Sequence, residues 1–137
     1  MPKPGRKSAA ELATTSIPTR PEPPNDLNEE ESIEWKAVVN RLPVDWFKRE
    51  HYGVLVAYCQ HVVLRRFIKK LIDGFPPEDL QTKDGVSTWA KLHSALSKET
   101  EKIVTCARTM RITHQAVYNA KSGHTKISNG GNRSPRG

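Results

Sequence analysis

The sequence predicts an all-α protein with a short N-terminal helix, a long antiparallel helical hairpin, and disordered N- and C-terminal tails. Three observations support this. Apolar residues recur at heptad spacing after residue 86, an amphipathic stretch precedes residue 74, and six of the ten prolines lie in the first 26 residues. Heptad and amphipathic patterns of this length are typical of packed helices. We therefore predict a tail over 1–26, a helical oligomerisation core over 27–118, and a flexible basic tail over 119–137.

The N-terminal segment, Met1–Asp26, is rich in proline, which fixes φ and lacks a backbone N–H. It is expected to be disordered or extended. Its tip is basic because it carries Lys3, Arg6 and Lys7. These residues are candidates to contact phosphates, and the alternative is a solvated tail.

The first helix is predicted to begin at Asn28 and to end before Pro43. Asn28 and Glu31 have the spacing of a capping box, and the acidic first turn suits the positive end of the helix dipole. Trp35 and Val39 are expected to pack on the hairpin. Because this helix is acidic, we expect it to face away from DNA.

The second helix is predicted to start near Trp46–Arg49 and to run to Asp73, before Gly74 and Pro76. Plotted at about 100° per residue, one side of it changes from apolar to basic along its length. That side carries, in order, Leu55, Tyr58, Cys59, Val62, Arg65, Arg66, Lys69 and Lys70. The opposite side of the second half carries Leu64, Phe67, Ile68 and Leu71. The four basic residues form either a DNA-binding strip or a solvated face whose stems cover apolar surface.

The third helix is predicted over Val86–Met110 and gives the strongest pattern. Its seam, meaning the heptad positions that face a partner helix, consists of Trp89, Leu92, Leu96, Glu99, Ile103, Cys106 and Met110. Glu99 places a charge in this seam, which indicates either a register-setting residue or an imperfect groove. Pro76–Val86 is predicted to be a loop with its turn at Asp84-Gly85, with Ser87 and Thr88 helping to cap the helix. A connection this short predicts antiparallel neighbours.

Composition limits the chain to one domain with a small core, which favours self-association. Val54, Tyr58 and Ile72 lie off the seam and are expected to remain as apolar surface for contacts between protomers in a ring. The formal charge of +7 and pI near 9.6 favour a polyanionic partner. Cys59 and Cys106 fit small buried residues in a reducing compartment, with a disulfide between helices as the minority alternative. No stretch approaches a membrane span and no apolar signal core is apparent, so a cytosolic protein without a membrane partner is expected.

The sequence contains no constellation that supports catalysis. The eight glycines form no phosphate-binding loop, and the five histidines do not pair with the cysteines at zinc-binding spacing. No serine or cysteine has both an adjacent base and a group to orient that base. We therefore predict a protein that is not an enzyme and that uses no cofactor and no metal.

The C-terminal region is strongly basic, with seven Lys or Arg and one acid from Glu101 onward. Further candidates for DNA contact in this region are Arg108, Arg111, Lys121 and Lys126. Glycine and serine after residue 121 predict flexibility.

Several short segments, taken in order, resemble the small subunits of phage terminases. The segments are Gly5–Ala9, Arg20–Pro24 with Leu27, Glu34-Trp35, Leu42-Pro43 with Asp45–Phe47, Leu55 with Tyr58-Cys59 and His61–Val63, and Met110–Tyr118. The last of these is the strongest match, and it is similar to the stretch that closes the helical core in one branch of the family. The similarity extends over nearly the whole chain up to Tyr118.

The resemblance implies a non-catalytic subunit of the genome-packaging motor that acts in the host cytoplasm. Such subunits form homo-oligomeric rings, bind double-stranded viral DNA near the packaging start, and recruit the large subunit that carries the ATPase and nuclease activities. The family supplies no universal DNA-contacting residues, so the candidate residues above depend on charge alone. The alternatives are a dimeric helical transcriptional regulator and a scaffold without a nucleic-acid role.

Overall fold

The computed structural model of the protein describes residues 17–113. This part consists of three α-helices: α1 (Glu29–Arg41), α2 (Tyr52–Asp73) and α3 (Lys83–Thr109). Short 3-10 helices, Arg49–His51 and Pro77–Gln81, precede α2 and α3. No strand occurs between residues 17 and 113, so the predicted all-α class is confirmed for them. Residues 1–16 of the predicted N-terminal tail, residues 114–118 of the predicted core and the whole predicted tail 119–137 lie outside the described residues.

The predicted capping box at the start of α1 is confirmed. Asn28 Oδ1 accepts a hydrogen bond from the Glu31 N–H at 2.9 Å, and Glu31 Oε2 accepts one from the Asn28 N–H at 3.0 Å. Three glutamates occupy the first turn, where they offset the helix dipole. This end of α1 is therefore determined by local sequence.

The proline-rich stretch before α1 is held against that helix. The Arg20 guanidinium donates to the carbonyls of Val39 and Leu42, the second at 2.6 Å. The indole Nε1 of Trp35 donates to the Pro21 carbonyl at 2.9 Å. Residues 17–24 form no helix or strand and are held in place, because Arg20 bonds carbonyls at the end of α1 and Trp35 in the middle of α1 bonds the stretch itself.

The hydrophobic core lies at one end of the molecule, where α1 packs on the first half of α2. Its buried members are Leu27, Trp35, Val38, Val39, Leu42, Phe47, Leu55, Cys59 and Met110. Trp35 and Leu55 are fully buried, and the Trp35 ring meets Tyr52 edge-on at 6.1 Å. The expected packing of Trp35 and Val39 is confirmed. Residues beyond about position 62 of α2 lie outside this cluster.

Of the three residues predicted to be leftover apolar surface, one is buried. Ile72 is only 6% exposed, and it lies three turns beyond His61 on the side of α2 that contacts α3, so the prediction is wrong for this residue. Val54 and Tyr58 pack against the core cluster but are only partly buried. Their contact with another protomer stays a prediction.

Helices α2 and α3 meet along their lengths in opposite order. His61 of α2 contacts Glu99 of α3, while Phe75, just after α2, packs on Trp89 near the start of α3. Before α2, the indole Nε1 of Trp46 donates to the Met110 carbonyl at 3.0 Å. The predicted start of the second helix near Trp46–Arg49 is too early, because Trp46 lies in a turn and donates its N–H to the Pro43 carbonyl.

Helix α3 begins three residues earlier than predicted. Thr82, rather than Ser87 or Thr88, is the N-cap, and its Oγ1 accepts from the Gly85 N–H at 3.0 Å. Asp84-Gly85 therefore belongs to the first helical turn, and the predicted loop extending to Val86 is wrong. A threonine hydroxyl that satisfies an otherwise unpaired N–H outweighs the turn tendency of an Asp-Gly pair.

Burial along α3 follows the predicted seam. Glu99 and Met110 are buried, while Trp89, Leu92, Leu96, Ile103 and Cys106 are half-buried. The outward positions between them are mostly exposed. The heptad therefore identified the correct face, but α2 covers it only in part.

Helix α3 ends in a capping motif formed by Met110–Ile112. These residues begin the segment Met110–Tyr118 that resembles the terminase family, and the motif places them against the core. Arg111 has φ 58°, in the left-handed region. The Arg111 N–H donates to the Arg108 carbonyl and the Ile112 N–H to the Ala107 carbonyl, at 3.1 and 3.0 Å. This pairing is a Schellman cap, and Ile112 packs on the core cluster behind it.

Gly85 should be intolerant of a side chain. A Cβ at this position would lie 1.8 Å from the Asp79 carbonyl oxygen, which is backbone and cannot move without displacing the 3-10 helix. We expect Gly85→Ala to lower the free energy of unfolding by about 1–3 kcal/mol in urea titration, the usual range for overpacking. Gly53→Ala is the matched control, because its Cβ would meet nothing within 4 Å. Equal stability of the two variants would contradict the described packing.

Candidate nucleic-acid interface

The net positive charge of the chain lies mainly outside the helical body. Residues 17–113 contain 15 Lys or Arg and 14 Asp or Glu, which gives a net charge of +1 out of +7. Residues 1–16 and 114–137 carry the other six charges. A polyanion such as DNA is therefore attracted more by the terminal segments than by the folded part.

The basic strip of α2 is largely engaged in contacts within the protein. Arg66 pairs with Glu34 of α1 at 2.8 Å, and Lys69 pairs with Asp73 at 2.7 Å. Arg65 Nε donates to the Thr100 hydroxyl of α3 at 2.8 Å. The Lys70 side chain forms no hydrogen bond or ion pair with residues 17–113, and the residue is exposed. Acids from α1 and from the next turn of α2 therefore offset two of the four charges, those of Arg66 and Lys69.

These contacts weaken the strip as a DNA site without excluding it. Arg66 and Lys69 are more than half exposed, and pairs of this kind are worth at most about 1 kcal/mol. Phosphates could therefore compete for both side chains at small cost. DNA contact by Arg65, Arg66, Lys69 and Lys70 remains a prediction.

The other candidate residues divide between the end of α3 and the terminal segments. Arg108 and Arg111 are exposed at the C-terminal end of α3. The remaining candidates, Lys3, Arg6, Lys7, Lys121 and Lys126, lie outside the described residues.

The sequence analysis missed basic residues on the outer side of α3. Lys91 and Lys98 are exposed, lie seven residues apart, and form no ion pair with residues 17–113. Lys102, one turn further, bonds Glu99 at 3.2 Å. Their heptad spacing was visible, but the apolar seam on the other side of the helix dominated the pattern. They extend the set of cations available to a phosphate backbone.

The charge in the seam, Glu99, joins α2 to α3. Its carboxylate accepts from His61 Nδ1 at 2.5 Å and from Lys102 Nζ at 3.2 Å, and the residue is only 6% exposed. Burial raises the pKa of Glu99, but the hydrogen bonds and charges of Lys102 and His61 outweigh burial and lower it overall. This geometry supports the register-setting role, because a shift of one helix along the other would separate the buried carboxylate from His61 and leave it only Lys102 of its own helix.

We expect Glu99→Gln to destabilise the protein by about 1–3 kcal/mol near pH 6, the usual range for loss of hydrogen bonds to a charged group. Because the pKa of Glu99 is lowered on folding, its contribution is present above the ordinary carboxyl pKa of about 4.3 and is lost as the pH falls further. The difference in stability between the parent and Glu99→Gln should therefore shrink as the pH falls below about 4.3. Urea unfolding at several pH values measures this.

The matched control is Glu101→Gln, an exposed acid on the same helix that forms no ion pair with residues 17–113. It should change the free energy of unfolding by less than about 0.5 kcal/mol. A Glu99→Gln variant as stable as this control at pH 6 would exclude the register role.

The described residues offer little chemistry beyond charge. Both cysteines are free thiols, and burial raises the pKa of Cys59 to about 12 and also raises that of Cys106. Such thiols stay protonated and are poor nucleophiles. Between residues 17 and 113 no cluster of three His, Cys, Asp or Glu has the arrangement to hold a metal ion. No helix within the same range is long and apolar enough to cross a membrane.

No family model matches the chain, and no curated protein or solved structure matches it significantly. Residues 17–113 form a small all-helical body. The segments that precede and follow it in the sequence are basic.

Proposed function

We propose that this chain is the small subunit of a phage terminase. In this role it is a non-catalytic component that binds double-stranded viral DNA in the host cytoplasm and recruits the large ATPase-nuclease subunit. The separation of charge carries the DNA-binding part of the proposal: a nearly neutral body lies between segments holding six of the seven net charges. Cationic segments on a nearly neutral body suit a polyanion that is bound without regard to sequence.

The family assignment is supported by how the resembling segments meet in space. Trp35, from the Glu34-Trp35 segment, bonds the carbonyl of Pro21, from the Arg20–Pro24 segment. Trp46, from the Asp45–Phe47 segment, bonds the carbonyl of Met110, where the strongest matching segment begins. Two hydrogen bonds thus connect segments that are far apart in sequence within one core. This is expected if they belong to one shared fold rather than to chance similarity.

The body is suited to assembly. We propose that α2 and α3 form an antiparallel hairpin that serves as the oligomerisation core of a ring. The core cluster covers only the end near α1, and the seam residues of α3 stay half-buried in the isolated chain. A partner protomer would complete their burial and add the apolar area that a chain of this size lacks.

Helix lengths favour this proposal over a dimeric transcriptional regulator. Helices α2 and α3 have 22 and 27 residues, and residues 74–82 separate them. A helix-turn-helix reader instead uses a short recognition helix after a tight turn.

Capture by the large subunit tests the proposal directly. The immobilised large terminase subunit from the same genome should retain the full chain, and double-stranded DNA should increase retention. Capture of a repressor of similar size and charge sets the background. Retention no greater than this background, with or without DNA, would contradict the proposal even if the chain binds DNA alone.

A further inference from the structure

The outer side of α2 carries a row of exposed apolar residues that residues 17–113 leave uncovered. Leu64, Phe67 and Leu71 are 44%, 57% and 43% exposed. Their spacing of three and four residues places them on one side of the helix. Isolated exposed apolar residues are ordinary, but a row of three large ones marks an interaction surface. We call these three residues, with the neighbouring Lys70, the α2 strip. It differs from the basic strip described above (Arg65, Arg66, Lys69 and Lys70) and shares only Lys70 with it.

The position of the core explains why the α2 strip is uncovered. Helix α1 packs on the first half of α2, and the core cluster includes no residue of α2 beyond Cys59. In the second half, Ile68 and Ile72 are buried on the side towards α3, and among residues 17–113 no third helix lies on the outer side. Within that range, this half of α2 lacks a covering layer that one more helix would supply.

Helix α1 has an uncovered outer side with the opposite charge. Ile33 is 61% exposed at its centre, and Ala37 is exposed one turn further. Glu29 and Glu30 lie one turn before Ile33 on the same side. Glu31 is used in the capping box and Glu34 in the pair with Arg66. Glu29 and Glu30 form no ion pair with residues 17–113, so both remain available.

We propose that the α2 strip of one protomer binds the outer side of α1 on a second copy of this chain, head to tail. Each surface has an apolar centre, Phe67 on one and Ile33 on the other. Each also has unused charge within one turn of that centre. The α2 strip has Lys70, and the α1 surface has Glu29 and Glu30, which outnumber the exposed Lys36 and leave that surface net negative. This inference rests on the proposed function, because it names the contact that builds the ring.

Charge disfavours the pairing of like surfaces. Two α2 strips face to face would bring two Lys70 side chains together, and two α1 surfaces would bring four glutamates together. The head-to-tail arrangement instead pairs opposite charges. The head-to-tail arrangement also leaves one unoccupied surface at each end of a dimer, so further copies can add. Addition stops when the rotation between successive protomers brings the last copy against the first and closes a ring.

Two single variants, each blocked on one surface, test this arrangement. Phe67→Asp blocks the α2 strip and Ile33→Asp blocks α1, and both positions are exposed, so the helical circular-dichroism signal should be unchanged. Light scattering at tens of micromolar (roughly, the range in which weak interfaces form) should show the parent assembled and each variant alone monomeric. An equimolar mixture should form a dimer of one chain of each variant and grow no further, because each blocked surface ends the chain.

A charge exchange provides the second test. Lys70→Glu alone, and Glu29→Lys with Glu30→Lys, should each weaken self-association by roughly tenfold or more. The chain carrying all three changes should recover most of that loss. Solubility or folding defects would not be reversed in this way.

Several results would overturn the inference. These are assembly of Ile33→Asp alone to the same extent as the parent, a mixture of blocked variants that stays monomeric, and a triple charge exchange that does not recover assembly. In any of these cases the parent still assembles and the proposed function stands. A parent that stays monomeric while binding DNA would remove both this contact and the proposed ring.

Discussion

Replacing the basic residues of the two terminal segments with glutamine should remove most of the affinity for double-stranded DNA. The residues are Lys3, Arg6, Lys7, Lys121, Lys126, Arg133 and Arg136. Affinity for DNA falls with salt at a logarithmic slope near −0.9 for each phosphate neutralised, so losing up to seven cations per chain should flatten this slope markedly. We expect a loss of at least about 100-fold near 0.1 M salt. Fluorescence anisotropy over a salt series measures both quantities.

The matched control for this experiment is the exchange of Arg65, Arg66 and Lys69 for glutamine. All three already contact Thr100, Glu34 or Asp73, so they add less free charge than the terminal segments. We expect a loss of less than about tenfold, since each phosphate contact competes with an internal one. A larger loss in this control than in the terminal variant would place the DNA site on α2 instead.

Trp35→Ala should cause the largest loss of stability of any single change in the core. Trp35 is fully buried, packs on Tyr52, and donates its indole N–H to the Pro21 carbonyl at 2.9 Å. Its removal leaves a large cavity and frees the proline-rich stretch before α1. We expect about 3–5 kcal/mol lost from the free energy of unfolding in urea titration.

Two comparison variants separate the causes. Trp35→Phe removes the hydrogen bond but keeps most of the ring, so it should cost less, roughly 1–2 kcal/mol. Trp89→Ala should also cost less than Trp35→Ala, because Trp89 is half-buried and contacts only Phe75 and His93 among aromatic rings of the described residues. If Trp89→Ala proved the more destabilising, the core would lie between α2 and α3 rather than beside α1.

Features determined by neighbouring residues could be predicted from the sequence. The capping box needs only Asn28 and the residue three positions later, so its side chains and backbone meet whatever the rest of the chain does. The start of α3 is also local, yet it was misplaced. The Asp-Gly pair resembles a turn, but the structure uses Gly85 for its lack of a Cβ beside the Asp79 carbonyl and uses Thr82 as the cap.

Features that depend on which helix covers which side could not be predicted in this way. The helical period of α2 groups Tyr58 apart from Phe67, but it does not say which of the two groups a neighbouring helix will cover. Tyr58 packs on the core cluster, and Phe67 remains exposed. The pair between Arg66 and Glu34 is likewise tertiary, because 32 residues separate its partners. The candidate basic strip therefore lost much of its free charge to a helix whose position the sequence did not reveal.

The mass of the full chain in solution, alone and with double-stranded DNA, tests the central claim most directly. Light scattering coupled to size exclusion, or mass photometry, gives this mass without any label. We expect an assembly of several copies with one defined mass, which binds DNA of a few tens of base pairs as an intact ring and leaves the DNA uncut. A chain that stays monomeric at tens of micromolar (about the range of weak interfaces) and does not bind DNA at moderate salt would contradict the account.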